Sequence, residues 1–145
     1  MRCIAHIINL IVSEGLKEHK NSIARVRRAV KYVRQSPSRL QKFKECVKIE
    51  KIQSKSLLCL DVSTRSNSTY LMLDAAQKFE RAFERFDEMD LYFKGELIWG
   101  DGLLDNDDWE NVRRLVIFLQ NFYELTLKVS GSLHVTTNTI FLGIL

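Results

Sequence analysis

The amino-acid sequence predicts a mainly α-helical fold, and three observations lead to that prediction. Large apolar residues recur at the i, i+3, i+4 spacing of amphipathic helices in several segments. The chain has one proline and six glycines, so helices can run far between breaks. Its 145 residues match the length of a single domain, and 46% hydrophobic residues supply a modest core. We expect five or six helices and at most one short strand, near residues 57–60.

Three helices are predicted in the basic segment, residues 1–55. The first is expected to end or loosen at Gly15, and the second to begin with Asn21 or Ser22 as its N-cap. The second stops before Pro37, because the residue preceding a proline avoids the helical region, and the third starts near residue 39. The predicted inward residues of the three helices are Ile4, Ile7, Ile8 and Ile11; Ile23, Val26, Val30 and Val33; and Leu40, Phe43, Val47 and Ile49.

The remaining chain divides at residues 56–89, 90–108 and 109–145. A long helix is predicted over residues 68–89, with Leu71, Ala75, Phe79, Phe83 and Phe86 inward. Residues 90–108 are rich in Gly and Asp and predict a loop. Asp107 or Asp108 is the expected cap of a helix over residues 109–130 that ends at Gly131, and a last amphipathic segment follows. The predicted inner face of the 109–130 helix is Val112, Leu115, Val116, Leu119, Phe122, Tyr123 and Thr126.

Charge is divided unequally along the chain. Residues 19–55 contain twelve basic and two acidic residues, whereas residues 56–145 contain eight basic and fourteen acidic ones. Such asymmetry favours a polyanionic partner for the basic half. The competing interpretation is a solvated basic surface paired internally with the acidic half, including the charged helix predicted over residues 68–89, and the sequence leaves both open.

Several patterns that can carry chemistry are weak in this chain. Cys3 and His6 lie three residues apart on one predicted helix face, which more often reflects chance than a metal site. The acidic cluster at residues 105–110 lacks the ligand order of a calcium loop and is better explained by a loop and a helix cap. No apolar run reaches the roughly 18 residues of a membrane-spanning helix. We therefore expect no metal, no cofactor and no membrane insertion.

Three segments, in order, resemble hAT-family transposases. Residues 2–10 are similar to the family's RCxxHxxNL segment, and residues 60–73 to its DVxTRWNSTYxML segment. Residues 109–132 resemble the helix and FYxxTxxxSGS segment of plant members of the RICESLEEPER and DAYSLEEPER type, zinc finger BED domain-containing proteins. The matches extend along nearly the whole chain. The resemblance implies a helical fragment of an RNase H-like transposase core with its insertion domain, and a nuclear location.

The resemblance also indicates which functional parts to expect. The resemblance implies an Asp, Asp, Glu triad that holds divalent metal, in which the second Asp precedes the CxxH segment and the Glu follows the SGS segment. All three acids are expected to lie outside this chain, so we expect no DNA cleavage or joining by it, that is, no enzyme. The zinc finger and the family's oligomerisation segment are expected to be absent as well. Cys3 and His6 match the family pair. Ser66 replaces the family's tryptophan, which is implicated in handling a flipped base, and serine has no aromatic face on which a base can stack.

The function expected from these observations is weak, sequence-nonspecific DNA binding by a catalytically inactive transposase-derived fragment. The expected DNA-binding residues are Arg25, Arg28, Lys31, Arg65 and Asn67. With Ser66 in place of tryptophan, no strong preference for unpaired bases is expected. The alternative is a helical protein-interaction module without a DNA role, in which the basic helices meet an acidic protein. A salt series distinguishes the two, because affinity for phosphates falls steeply with salt.

Overall fold

A computed structural model describes residues 4–54, 58–60 and 66–137 of the chain. Within these ranges the fold is mainly α, as predicted, with seven helices and no strand. One more helix is present than the largest number expected. The helices are α1 (Ile4–Glu18), α2 (Lys20–Arg34), α3 (Pro37–Ile49), α4 (Ser66–Lys78), α5 (Glu80–Met89), α6 (Leu91–Trp99) and α7 (Asn106–Thr137).

The core is an aromatic cluster that joins α2, α3, α5, α6 and α7. Phe43 of α3 lies 4.7 Å from Phe83 between ring centroids, and Phe86 lies 5.0 Å from Phe93. Trp109, at the start of α7, lies 5.7 Å from Phe83. The predicted inward stripe of α2 is confirmed, because all four of its residues are buried. Burial of these large side chains supplies the main driving force for folding.

The face that α1 buries differs from the predicted one. Ile8 and Val12 are buried, whereas Ile4, Ile7 and Ile11 are about half exposed. The prediction that Gly15 ends the helix is also wrong, since α1 continues to Glu18. A Cβ atom at Gly15 would lie 2.8 Å from the ring of Phe118 in α7, so the glycine allows α1 and α7 to pack closely.

Two further predictions of helix ends are corrected by the structure. Neither Asn21 nor Ser22 caps α2, which begins at Lys20, and the Ser22 hydroxyl donates instead to Asp108. The helix predicted over residues 68–89 is two helices that break at Phe79, whose side chain is buried.

The predicted stop of α2 before Pro37 is confirmed, and Ser36 accepts a hydrogen bond from the Arg39 backbone N–H at the start of α3. Two residues predicted to be inward, Ile49 and Leu71, are exposed.

The region predicted as a loop, residues 90–108, contains helix α6. Asp90 caps this helix by accepting a hydrogen bond from the Tyr92 backbone N–H at 3.0 Å. Only Phe93 and Leu97 of α6 are buried. Two inward residues and an internal glycine, Gly95, give too weak a periodic pattern for sequence reasoning to distinguish a short helix from a loop.

Helix α7 is capped by a pair of aspartates one turn apart. Asp105 accepts from the Asp108 backbone N–H at 2.8 Å, and Asp108 accepts from the Asp105 backbone N–H at 3.1 Å. This reciprocal arrangement satisfies two backbone donors at the helix start, and it replaces the predicted single cap at Asp107 or Asp108. The helix passes through Gly131 to Thr137, so the predicted end at Gly131 is wrong. The predicted strand near residues 57–60 lies partly outside the described residues, and residues 58–60 are not a strand.

Candidate nucleic-acid interface

Arg25, the first of the predicted DNA-binding residues, belongs to a polar network between α2 and α7. Its guanidinium contacts both carboxylate oxygens of Asp108 at 3.1 Å and donates to the Asp101 backbone carbonyl at 2.8 Å. The Ser22 hydroxyl donates to the same carboxylate at 2.7 Å, and Asn111 donates to Ser22 at 3.1 Å. Arg25 therefore fixes the start of α7 against α2.

The electrostatics of this network centre on Asp108, which is 3% exposed. Burial by itself raises the pKa of the carboxyl. Hydrogen bonds from Ser22, the Asp105 backbone and Arg25, together with the charge of Arg25, outweigh burial and hold the pKa of Asp108 below its ordinary value. The carboxylate is therefore ionised and paired, as a buried charge must be.

Arg28, the second predicted residue, is also matched by acids from the second half of the chain. It lies 2.9 Å from Asp101 and 3.8 Å from Glu96. A Cβ atom at Gly100 would overlap its guanidinium, so Gly100 permits this contact. The acids that pair with Arg25 and Arg28 come from α6, the following turn and the start of α7, and not from the charged helix predicted over residues 68–89.

Lys31, the third predicted residue, is exposed on α2 and lines a groove between α2 and α6. We call this the α2–α6 groove; it has a volume of 290 Å³. Its lining residues are Ala24, Arg27, Arg28, Lys31, Tyr32, Gln35, Glu96 and Asp101. Cations outnumber carboxylates in this lining, and both carboxylates lie against Arg28.

A second groove, which also has Tyr32 in its lining, lies between α3 and α6. We call it the α3–α6 groove; it has a volume of 360 Å³. Its lining residues are Tyr32, Ser38, Arg39, Lys42, Met89, Asp90, Leu91 and Tyr92. Tyr32, which is buried, contributes to the lining of both grooves, so the two grooves adjoin at this residue. Arg39 and Lys42 belong to the basic residues 19–55, whereas Tyr92 lies on α6, a helix that the sequence did not predict.

Tyr32 and Arg39 hold the boundary between the grooves in place. The Arg39 guanidinium lies 3.8 Å from the centre of the Tyr32 ring and donates to the Tyr32 carbonyl at 3.3 Å. The Tyr32 hydroxyl donates to Asp90 at 3.1 Å. Burial, reinforced by the negative charge of Asp90, raises the pKa of Tyr32, so the phenol stays protonated and remains a donor.

The residues singled out by motif are only partly described. Cys3 and Arg65 lie outside the described residues, and Ser66 and Asn67 begin α4 without described side chains. His6 is exposed on α1. Across residues 4–54, 58–60 and 66–137, no group of three His, Cys, Asp or Glu side chains is placed to hold a metal ion. Nor is any helix within the described part long and apolar enough to cross a membrane.

Comparison with known proteins identifies the family of domains to which this helical chain belongs. Residues 1–118 match the family model of the ZBED1 RNase-like helical domain, and the chain belongs to that family. The match extends from α1 into α7 and includes both grooves.

Two of the proteins that the chain resembles come from plants. The chain is 30% identical over 141 residues to "Zinc finger BED domain-containing protein RICESLEEPER 2" of Oryza sativa subsp. japonica, covering 97% of the chain and 19% of that protein. It is 29% identical over 143 residues to "Putative AC transposase" of Zea mays, covering 99% of the chain and 17% of that protein. The chain thus spans about a fifth of the length of these curated relatives. No solved structure shows significant similarity to it.

Proposed function

We propose that this chain provides a weak, sequence-nonspecific DNA-binding surface within a transposase-derived nuclear protein. The observation that carries the proposal is that basic side chains line two grooves that adjoin at Tyr32. Lys31 of α2 lines one groove, and Arg39 and Lys42 of α3 line the other. Arg25 and Arg28 have carboxylate partners. The proposed contacts are therefore centred on Lys31, Arg39 and Lys42, with Arg28 at their edge and Arg25 supporting the fold.

The chemistry of these side chains favours phosphate contacts. Lysine and arginine neutralise phosphates and release bound counterions, which gives affinity without base recognition. Membership of a family that includes zinc finger BED proteins and transposases supports DNA as the polyanion. The resemblance in residues 60–73 adds Arg65 and Asn67 as proposed polar contacts to DNA. Binding is expected to weaken steeply as salt concentration rises.

A binding titration on duplexes of unrelated sequence, at two salt concentrations, tests the proposal. Changing Lys31 and Lys42 together to alanine should weaken binding to all duplexes alike and flatten the dependence on salt, by about one unit of slope for each phosphate that the variant no longer neutralises. The matched control is Lys17→Ala with Lys128→Ala, which removes two exposed lysines from α1 and α7. Equal affinity of the two double variants, or strong preference for one sequence, would contradict the proposal.

The proposal includes the absence of DNA cleavage and joining by this chain. It rests on the resemblance to hAT-family transposases, in which the metal-binding acids lie outside the three segments that this chain matches. Purified protein incubated with supercoiled DNA and Mg²⁺ or Mn²⁺ is expected to leave the DNA intact. Metal-dependent nicking that disappears when one of the chain's own carboxylates is changed would overturn this part.

A second candidate function, protein interaction, is favoured by α1. Its outer face exposes Ile4, Ile7 and Ile11, each about half accessible, beside the buried Ile8 and Val12. An exposed apolar stripe of this kind is typical of an interaction surface. Binding of a partner through α1 would tolerate salt, whereas binding through the basic grooves would not. The salt series therefore also distinguishes the two functions.

A further inference from the structure

Helix α6 carries two aromatic side chains that are exposed and do not belong to the buried core. Tyr92 is 79% exposed and Trp99 is 91% exposed. Tyr92 lines the α3–α6 groove, and Trp99 does not. Beside Tyr92 the groove also contains Leu91, which is 88% exposed. An apolar and aromatic wall on α6 thus faces the space bounded by Arg39 and Lys42 of α3.

The one acidic group in the lining of the groove is buried and already accepts hydrogen bonds. Asp90, its only carboxylate among the lining residues, is 5% exposed and accepts hydrogen bonds from the Tyr32 hydroxyl and the Tyr92 backbone N–H. Arg39 is held on the Tyr32 ring. The groove therefore presents two cations on one side, one of them fixed in position, and a flat aromatic surface on the other.

We infer that the α3–α6 groove holds one nucleotide of unpaired DNA, with its phosphate on Arg39 and Lys42 and its base stacked on Tyr92. The inference rests on the proposed function and names the form of DNA that this part of the surface accepts. Bases within a duplex are stacked on their neighbours and cannot reach a side chain in this way, whereas single strands bind by combining a basic groove with aromatic stacking.

This site changes one expectation drawn from the sequence. The serine at position 66 predicts no strong preference for unpaired bases. The groove supplies an aromatic face at a different place, on a helix that the sequence did not predict. Stacking is tolerant of sequence, because every base has a π face, so the site remains compatible with nonspecific binding.

The test compares binding of a fluorescently labelled oligothymidylate with binding of a labelled duplex at the same salt concentration. Tyr92→Ala should weaken binding to the single strand about tenfold and leave duplex affinity nearly unchanged. Tyr92→Phe keeps the ring and should bind like the unaltered protein. Trp99→Ala is the matched control, because it removes another highly exposed aromatic side chain of α6 that lies outside the groove. Circular dichroism confirms that each variant is folded.

The outcomes separate this inference from the proposed function. If duplex binding depends on Lys31 and Lys42 but Tyr92→Ala binds the single strand as Trp99→Ala does, the nucleotide site is overturned and the duplex proposal stands. If the protein binds only the single strand, and Tyr92→Ala weakens that binding, the site stands and the duplex proposal fails. No binding to either DNA overturns both, and Tyr92-dependent binding of an acidic peptide in place of oligothymidylate overturns the nucleotide site.

Discussion

Arg25 and Arg39 come from the same basic stretch and occupy opposite environments. Arg25 is paired with the buried Asp108 and connects α2 to α7, so its charge is used within the protein. Arg39 lies on the Tyr32 ring at the edge of a groove, where its charge faces no exposed carboxylate among the groove's lining residues. The difference shows that a count of basic residues predicts a polyanion partner but not which residues meet it.

The two regions also differ in what their polar groups stabilise. Around Asp108, two buried residues and one partly buried arginine satisfy one another through short hydrogen bonds. Loss of one member leaves a buried group without a partner. The α3–α6 groove consists of exposed or partly exposed side chains around two buried ones, Tyr32 and Asp90. Substitutions should therefore affect stability mainly in the first region and binding mainly in the second.

The largest expected effect is that of Asp108→Ala. It removes the partner of Arg25, the acceptor for Ser22 and half of the reciprocal cap of α7, and should lower the free energy of unfolding by about 3 kcal/mol. Urea denaturation measures the change. Asp107→Ala is the control, because Asp107 is an exposed carboxylate in the same helical turn. Similar losses in both variants would show that the network contributes no more than an ordinary charge near a helix N-terminus.

Next in size is the effect of Asp90→Ala, at the boundary of the groove. This change leaves the Tyr32 hydroxyl without its acceptor and removes the cap of α6, so we expect a loss of about 2 kcal/mol in unfolding free energy. Asp90→Asn retains a side-chain oxygen and should recover most of the loss. Thermal and urea unfolding compare the variants. Equal destabilisation by alanine and asparagine would contradict the capping role assigned to the Asp90 oxygen.

A smaller effect is expected in the pH dependence of stability. The folded-state pKa of Asp108 lies below its ordinary value of 3.8, so at low pH the unfolded chain binds more protons than the folded one. The stability that Asp108 contributes is fully present at pH values well above 3.8. It is lost progressively as the pH falls from about 5 through the folded-state pKa. The difference in unfolding free energy between the unaltered protein and Asp108→Asn should be constant near neutral pH and shrink in acid. A difference that stays constant to the lowest pH at which the protein folds would refute this linkage.

The smallest expected effect is on binding, from Arg39→Ala, and its comparison with Arg25→Ala is the sharpest test of the difference between the two regions. Arg39→Ala should weaken duplex binding several-fold, whereas Arg25→Ala should lower stability while leaving the affinity of the folded protein nearly unchanged. Binding titrations at low temperature, corrected for the folded fraction, separate the two effects. Greater loss of affinity in Arg25→Ala than in Arg39→Ala would reverse the roles assigned to them.

Particular elements show where sequence reasoning succeeded. The four-residue stripe of α2 and the stop before Pro37 were correct, because strong periodicity and proline geometry are local properties of the chain. The predictions failed where contacts with residues distant in sequence determine the role of a side chain. Gly15 lies inside α1, where it leaves room for the Phe118 ring. Ser22 donates to Asp108, 86 positions away in sequence, and does not cap α2. Helix α6 was missed because its inward pattern consists of only two residues.

For the candidate site, the sequence by itself determined the helical class, the concentration of positive charge before residue 56 and the resemblance that the family match confirms. Residue order and composition are sufficient for these properties. Only the tertiary structure decided that Arg25 and Arg28 meet acids while Lys31, Arg39 and Lys42 line adjoining grooves, and that Tyr92 faces two of them. The physical reason is that ion pairing and groove formation depend on which helices pack together, and packing joins residues far apart in the chain.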